Sequence, residues 1–419
     1  MSHSRNLVTA LAAMLLAVPA LHAVDVTSVG DTKLGVYGFV HAVGTYFVDA
    51  TQGSAYQGSL FYNAPDANGG AAGQTMLDTH NLPTGNFQMS VKPSRFGITS
   101  TTPSNSLGDI STKIEMDFNN PSGGPGLRLA NIKFGGWTIG KAWSLWVDGD
   151  AGADTVDWAG PIGTPCFDTP RFVSIQYAAK LDKNNTLAFS LEQNGGFNDG
   201  TSHVTNVPVA PETGIGNGTI PTIVAAYTYS DSWGHIALRG LGQNYGVYIP
   251  ATGTTGKSSY NKMEAGFMVS GDVKFGKDDL VFDFMSGNAL GQYGTGWQAA
   301  TLNDATQTVT AYKNIGWMAG YTHNWTDAVR SNIILSGVSF SSDSAIPTTA
   351  DTAAGTDVKT GYSGNLNTFI KLAKNCELGM EYVYEQAKGF GPNTARDQNN
   401  NPTSKNGASK VEVSLHVGF

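Results

Sequence analysis

Charge is scarce in this chain: Asp, Glu, Lys and Arg make up 14% of its 419 residues, against about 25% in a soluble domain. The formal net charge is −8, which argues against nucleic-acid binding. There are two cysteines, Cys166 in a long loop and Cys376 in a tight turn. They are expected at opposite ends of the fold, so no disulfide is expected between them. The eight histidines form no HxxxH or HExxH grouping, so no zinc site is expected. "GIGNGT" (214–219) is glycine-rich, but no helix follows it to cradle a phosphate. Beyond the first segment no apolar run approaches the ~18 residues of a membrane helix. Helical periodicity is also rare, because apolar residues recur every second position. No cofactor or metal is implied.

What is present begins with an export signal. Arg5 precedes the apolar run "LVTALAAMLLAV" (7–18), and "PALHA" places a small residue, Ala23, at the cleavage point. This reads as a signal peptide over 1–23, a short leader over 24–32, and a mature chain of net charge near −9 once Arg5 is removed.

From residue 33 onward, alternation is the rule. In "DISTKIEMDF", Ile110, Thr112, Ile114, Met116 and Phe118 oppose Ser111, Lys113, Glu115 and Asp117. In "CELGMEYVYE", Leu378, Met380, Tyr382 and Tyr384 oppose Glu377, Glu381 and Glu385; "HIALRGLGQ" sets Ile236 and Leu238 against His235, Arg239 and Gln243. A soluble sandwich would alternate in the same way, so the connections decide. Short links ("LDKNN", "SDSW", "FGKDD", "WTDA", "AKNCE") alternate with long Gly/Asn/Ser/Thr-rich ones, among them 50–85, 147–169, 195–218, 287–306, 341–357 and 388–407. Short turns at one end and long loops at the other describe a transmembrane up-and-down antiparallel β-barrel of about 16 strands over 33–419. Such a barrel must pair its last strand with its first. The chain ends in "KVEVSLHVGF", alternating to the final Phe419, which is expected at the periplasmic rim as the barrel-closing terminal signal.

Two places break the alternation. Phe87, Met89 and Val91 share a parity, whereas Phe96 and Ile98, beyond Pro93, take the other. A bulge at 92–94 repairs this and turns Arg95 toward the lumen. In "GLRLANIKFGG", Arg128, Ala130, Ile132 and Phe134 share one parity and Leu127, Leu129, Asn131 and Lys133 the other. The next strand groups Lys141 with Trp137, Ile139 and Trp143. A lysine facing lipid near the midplane costs ~2–4 kcal/mol, so this region reads as a subunit contact.

"SRFGITSTTPS" (94–104), "GDISTKIEMDF" (108–118), "GLRLANIKFGGWTIGKAWSLWVD" (126–148) and "GPIGTPCFDTPR" (160–171) resemble the DcaP-like family of outer-membrane porins. The resemblance implies a sixteen-stranded homotrimeric diffusion porin. It also implies a third long loop folded inward as a constriction (147–169) and uptake of small, often anionic, organic solutes. It places eyelet arginines at Arg95 in "SRFG" and Arg128 in "LRL". Ala130 stands where the family repeats a basic residue, and "GKAW", with Lys141, stands where it has "GQTW". The missing base weakens the expected anion preference. Some members carry a coiled coil before the barrel; about ten residues separate Ala23 from Lys33 here, too few for that segment or for a plug domain.

The expected pore is lined by the bases Arg95, Lys113, Arg128 and Arg239, with Arg171 opening the strand after the loop in a direction the pattern leaves open. It faces an acidic loop bearing Asp148, Asp150, Asp154, Asp157 and Asp168. A basic wall opposite an acidic loop sets a transverse field. "DGDAGADTVD" lacks the glutamate of an EF-hand calcium loop. His41, His235, His323 and His416 are scattered, with no nucleophile the sequence identifies. The expected function is passive diffusion of small hydrophilic solutes and ions across a bacterial outer membrane. The expected partners are outer-membrane lipid, lipopolysaccharide, the barrel-assembly machinery during insertion, and further copies of the chain. A non-conducting adhesin or structural barrel and a barrel enzyme are the alternatives.

Overall fold

A computed structural model describes residues 24–48, 85–118, 124–156, 160–162, 171–193, 215–216, 220–249, 258–290, 293, 300–303, 308–341, 358–389 and 407–419. The signal segment, Asp157, Asp168 and Cys166 lie outside them. Among the described residues sixteen antiparallel strands form a closed ring. They are β1 (Thr32–Phe47), β2 (Asn86–Ser90 and Arg95–Thr102), β3 (Ile110–Asp117), β4 (Gly126–Phe134), β5 (Trp137–Trp143), β6 (Arg171–Lys180), β7 (Asn185–Glu192) and β8 (Thr222–Asp231). The ring continues with β9 (Gly234–Ile249), β10 (Ser258–Phe275), β11 (Asp278–Asn288), β12 (Lys313–Asn324), β13 (Val329–Ser341), β14 (Val358–Ala373), β15 (Cys376–Gly389) and β16 (Gly407–Gly418). Each strand pairs with the next in sequence. A further N-terminal strand, Val24–Val29, pairs with β1, and Ala300–Asn303 pairs with Thr308–Ala311 as a separate hairpin.

Alternation decides which face of each strand meets the membrane. On β3, Ile114 is exposed and Glu115 and Asp117 are buried; on β9, Ile236 and Leu238 are exposed and His235 and Ala237 are buried. The exposed outward set is mostly aliphatic and aromatic, as lipid requires. Turns as short as Gly135–Gly136, both at positive φ, join β4 to β5. The short-turn end is the periplasmic one in barrels of this kind.

Closure is made by the last residues. β16 pairs with β1 from Phe47↔Lys410 to Phe39↔Gly418. Phe419 then exchanges two backbone hydrogen bonds with Gly38: Gly38 N to Phe419 O at 3.1 Å and Phe419 N to Gly38 O at 2.9 Å. The Phe419 ring lies over Gly38, where a Cβ would come within 2.5 Å of it. Beyond Gly38 the N-terminal strand takes over the same edge of β1, pairing as far as Val29↔Thr32.

Both irregular stretches are bulges. Between Val43↔Ser90 and Phe39↔Arg95 the β2 side advances five residues while β1 advances four. The Ser94 N–H bonds to Val91 O at 3.0 Å, and Ser94 Oγ accepts the His41 N–H at 3.1 Å. On β4 the ladder passes from Glu115↔Leu129 to Met116↔Leu127, so Arg128 is the extra residue. That bulge removes the conflict in the sequence pattern. Arg128 joins Glu115 inside, while Ala130 and Ile132 pair with the outward Ile114 and Thr112. Lys133 pairs with Ser111 on the inward face, and Lys141 pairs with Ala130 on the outward one.

Candidate functional site

After Trp143 the chain leaves the wall and turns into the barrel. Ser144 Oγ donates to Glu192 at 2.7 Å and the Leu145 N–H to the same carboxylate at 2.8 Å. Trp146 is then fully buried among Phe172, Val224, Leu241, Met268, Met285, Leu290 and Tyr293. Val224, Leu241, Met268 and Met285 stand on the inward parity of β8–β11, so their apolar surface is covered by the loop instead of lipid. A 3₁₀ turn, Gly149–Ala151, follows. Ala153 packs with Val281, Met318 and Ile334, and Val156 with Val43 and Phe369. The segment 144–156 thus spans the lumen from β5 to the wall of β9–β15.

Ion pairs fix the same path. Asp148 Oδ2 accepts from Arg239 Nη1 at 2.9 Å and from Ser270 Oγ at 2.5 Å, and lies 3.0 Å from His235 Nε2. Burial alone would raise the Asp148 carboxyl. The Arg239 charge and the hydrogen bonds from His235 and Ser270 outweigh burial and hold it well below the usual carboxylate range. Burial and the neighbouring Asp148 and Asp272 charges push Asp150 up to about 6. Asp154 accepts from Arg330 Nε at 2.6 Å, and Arg330 also donates to both oxygens of Glu377, at 2.5 and 2.9 Å. The Val156 N–H donates to Glu381, and Asn367 Nδ2 to Asp154 O at 2.7 Å.

On the near wall, β2–β4 carry a second cluster. Arg128 Nε donates to Glu115 at 3.1 Å and Arg128 Nη1 to Asp117 at 2.7 Å. Arg95 and Lys113 lie 3.7 and 3.6 Å from the Glu115 carboxylate, and Tyr37 Oη donates to it at 2.8 Å. Arg95 sits over the Phe39 ring and Lys113 over the Tyr37 ring, at 5.4 and 4.8 Å. Arg95 and Arg128 are buried, whereas the Lys113 side chain is 28% exposed. Arg171 pairs with Trp143 in the ladder, and its guanidinium lies 4.7 Å over that ring.

The five predicted bases therefore fall into three places. Arg95, Lys113 and Arg128 gather around Glu115; Arg239 belongs to the loop's own anchor; Arg171 stands at the β5–β6 lip. Of the predicted loop acids, Asp148 docks on Arg239, Asp150 lies beside it, and Asp154 docks on Arg330. Sequence reading passed over Glu115 and Asp117 as counter-charges, and Arg330 as the second anchor. The one available signal was apolar residues on inward parities, such as Met268 and Met285, which mark where a segment lies against the wall. His41 and His416, far apart in sequence, are cross-strand partners with their Nδ1 atoms 3.3 Å apart. His323 faces Asp278 at 2.9 Å at the periplasmic end. Among the described residues no group of three or more His, Cys, Asp and Glu side chains is placed to hold a metal.

Comparison with known proteins agrees with the barrel fold. The outer-membrane channel DcaP of Acinetobacter baumannii superposes with a TM-score of 0.71 at 17% identity, covering 94% of this chain and 99% of that one. The trimer form of OmpT, an outer membrane protein of Vibrio cholerae, gives a TM-score of 0.54 at 11% identity, covering 93% and 99%. An anion-selective porin from Comamonas acidovorans gives 0.54 at 10%, covering 93% and 100%. At these identities the likeness is one of fold. No curated protein sequence matches the chain. The model of the DcaP outer membrane protein family matches residues 26–398. With that match across nearly the whole chain, and a porin barrel closed around an inward loop, the chain belongs to the DcaP outer membrane protein family and resides in the bacterial outer membrane.

Proposed function

We propose that the chain is a passive diffusion porin, not an enzyme, exported by the segment 1–23 and assembled as a homotrimer. The observation that carries the reading is the loop 144–156. It crosses the lumen and is held on the far wall by the Asp148–Arg239 and Asp154–Arg330 pairs. A loop secured in this way narrows an aqueous channel without sealing it. It leaves Lys113 on one side and loop carboxylates on the other, a charged eyelet for small hydrophilic solutes. Pore-lining and constriction roles for Arg95, Lys113, Arg128, Arg171, Arg239 and the loop aspartates follow from this reading.

The trimer is supported by the outward face of β1–β5. There Lys141 lies between Ala130 and Val173. Hydroxyl pairs Thr32–Thr102 and Ser100–Thr112, at 2.8 and 2.7 Å, occupy positions where lipid favours apolar groups. Protein cover from a second copy suits such a face.

The test is conductance of the purified protein in a planar bilayer, with migration on SDS gels before and after heating. Discrete steps arriving in threes, and a heat-sensitive oligomer band, are expected. A heat-modifiable barrel that inserts and never conducts overturns the porin reading.

A further inference from the structure

We infer that the extracellular rim of β12–β15 carries a docking site for the phosphorylated headgroup of an outer-leaflet glycolipid, built around Lys313 and Lys388. The inference rests on the outer-membrane location and not on conduction. The strand parity that exposes Ile315, Leu335, Tyr362 and Tyr384 to lipid also carries Lys313 on β12 and Lys388 on β15, both exposed. Both stand far from the short turns 325–328 and 374–375, at the extracellular ends of their strands. The ladder joins them. Lys388 pairs with Thr360, Thr360 with Ser339, and Ser339 with Ile315, two residues from Lys313; Lys313 itself pairs with Ser341. Three strand spacings and a two-residue offset put the two lysine backbones about 15 Å apart. The hydroxyls of Ser339, Ser341 and Thr360 lie between them. Lys359, the extra residue of a bulge between Val358↔Gly389 and Thr360↔Lys388, is exposed beside them.

Parity sets the sign of this rim. The chain as a whole has more acids than bases, 33 against 25. Every carboxylate of β12–β15 nevertheless falls on the inward face: Glu377 is paired with Arg330, and Glu381 and Glu385 are buried. The outward positions of these four strands carry lysine and no carboxylate. Tyr362 and Tyr384, lower on the same face, form an aromatic band of the kind that marks the membrane interface. An ammonium just above such a band sits in the headgroup layer, where lipid phosphate attracts it. One free phosphate cannot touch both lysines across about 15 Å. A saccharide headgroup bearing more than one phosphate can, and its hydroxyls would find hydrogen-bond partners in Ser339, Ser341 and Thr360.

The experiment is native mass spectrometry of the purified protein in a neutral detergent with EDTA. It is titrated with diphosphorylated lipid A, with the same lipid stripped of its phosphates, and with inorganic phosphate. The wild type is expected to hold the diphosphorylated lipid at least about tenfold more tightly than the stripped one. Lys313→Ala and Lys388→Ala should each weaken binding about fivefold and the double variant about thirtyfold, the scale of one headgroup contact per lysine. Lys371→Ala, at an exposed lysine near the periplasmic end of β14, should bind as the wild type does. Heat-modifiable migration shows that each variant is folded. Equal retention of phosphorylated and stripped lipid, a folded double variant that binds like the wild type, or a loss in Lys371→Ala as large as in Lys388→Ala overturns the site. Inorganic phosphate that displaces the lipid at equal concentration overturns a glycolipid as its occupant. A folded double variant that loses its heat-sensitive oligomer band would show that this face meets another copy, which also overturns the inference. Conductance enters none of these outcomes, so the porin reading stands or falls separately.

Discussion

Replacing Trp146 with Ala should undock the constriction loop while leaving the barrel intact. Trp146 is fully buried in a cluster supplied by the inward faces of β6 and β8–β11 together with Leu290 and Tyr293. Truncating a buried Trp to Ala costs about 3–5 kcal/mol. The barrel does not bear that cost, because its sixteen strands pair with one another and none pairs with the loop. It falls on the local docking equilibrium, so the opening constant of 144–156 rises by roughly a hundred- to a few thousand-fold. Native-state hydrogen exchange is the assay. The Val147 and Ala151 amides bond to Ser144 O and Asp148 O, and the Val156 amide to Glu381. All three should lose protection in W146A if the loop opens as a unit, while amides of β12–β14 keep theirs. Single-channel records should show higher conductance with added noise. Unchanged protection at Val147 and Ala151, with unchanged conductance, would refute the claim that the Trp146 cluster holds the loop.

Three further outcomes are expected. Arg239→Gln leaves Asp148 buried without its guanidinium, which should cost about 3–5 kcal/mol and raise channel flicker. Because Asp148 is held well below the usual carboxylate range, the wild-type anchor contributes above the unfolded pKa and should survive acidification well below pH 4, which noise measurements against pH would test. Asp150 behaves oppositely: its carboxyl is raised to about 6, so ionisation opposes the docked loop above that value and the opposition is gone by about pH 4. Channel noise should therefore fall as pH is lowered from about 6 to about 4, and a flat profile from 7 to 4 would contradict this placement of Asp150. Gly38→Ala puts a methyl 2.5 Å from the Phe419 ring and 2.6 Å from Arg95 O; a lower yield of heat-modifiable barrel is expected on refolding, and a wild-type yield would show that the closure tolerates displacement of Phe419.

Much of the architecture could be read from short stretches. The opposed parities of Ile114 and Glu115, or Leu238 and Arg239, assign faces because a strand side chain has no third direction to take. The parity switch at Pro93 located the first bulge for the same reason. The second bulge was visible only as a contradiction in "GLRLANIKFGG", since which residue is extra depends on its partner strand, and pairing put Arg128 rather than Leu127 or Leu129 out of step. The candidate site was legible as residue types and not as partners. Arg95, Lys113 and Arg128 were found, but Glu115, two residues from Lys113, registered as another polar position. Arg330 was not singled out at all, because nothing near it in the chain marks it as the partner of Asp154.

Acting alone, the sequence determined the barrel, the sidedness of its strands, the ends that carry turns and loops, and the closing strand ending in Phe419. Those features follow from period-two alternation and turn chemistry, which are local properties of the chain. Only the tertiary structure decided which charges cancel and where the loop lies. Asp148 and Arg239 are 91 residues apart, and Asp154 and Arg330 are 176 apart. Electrostatic energy depends on separation and burial in space, and the ring, once closed, sets both.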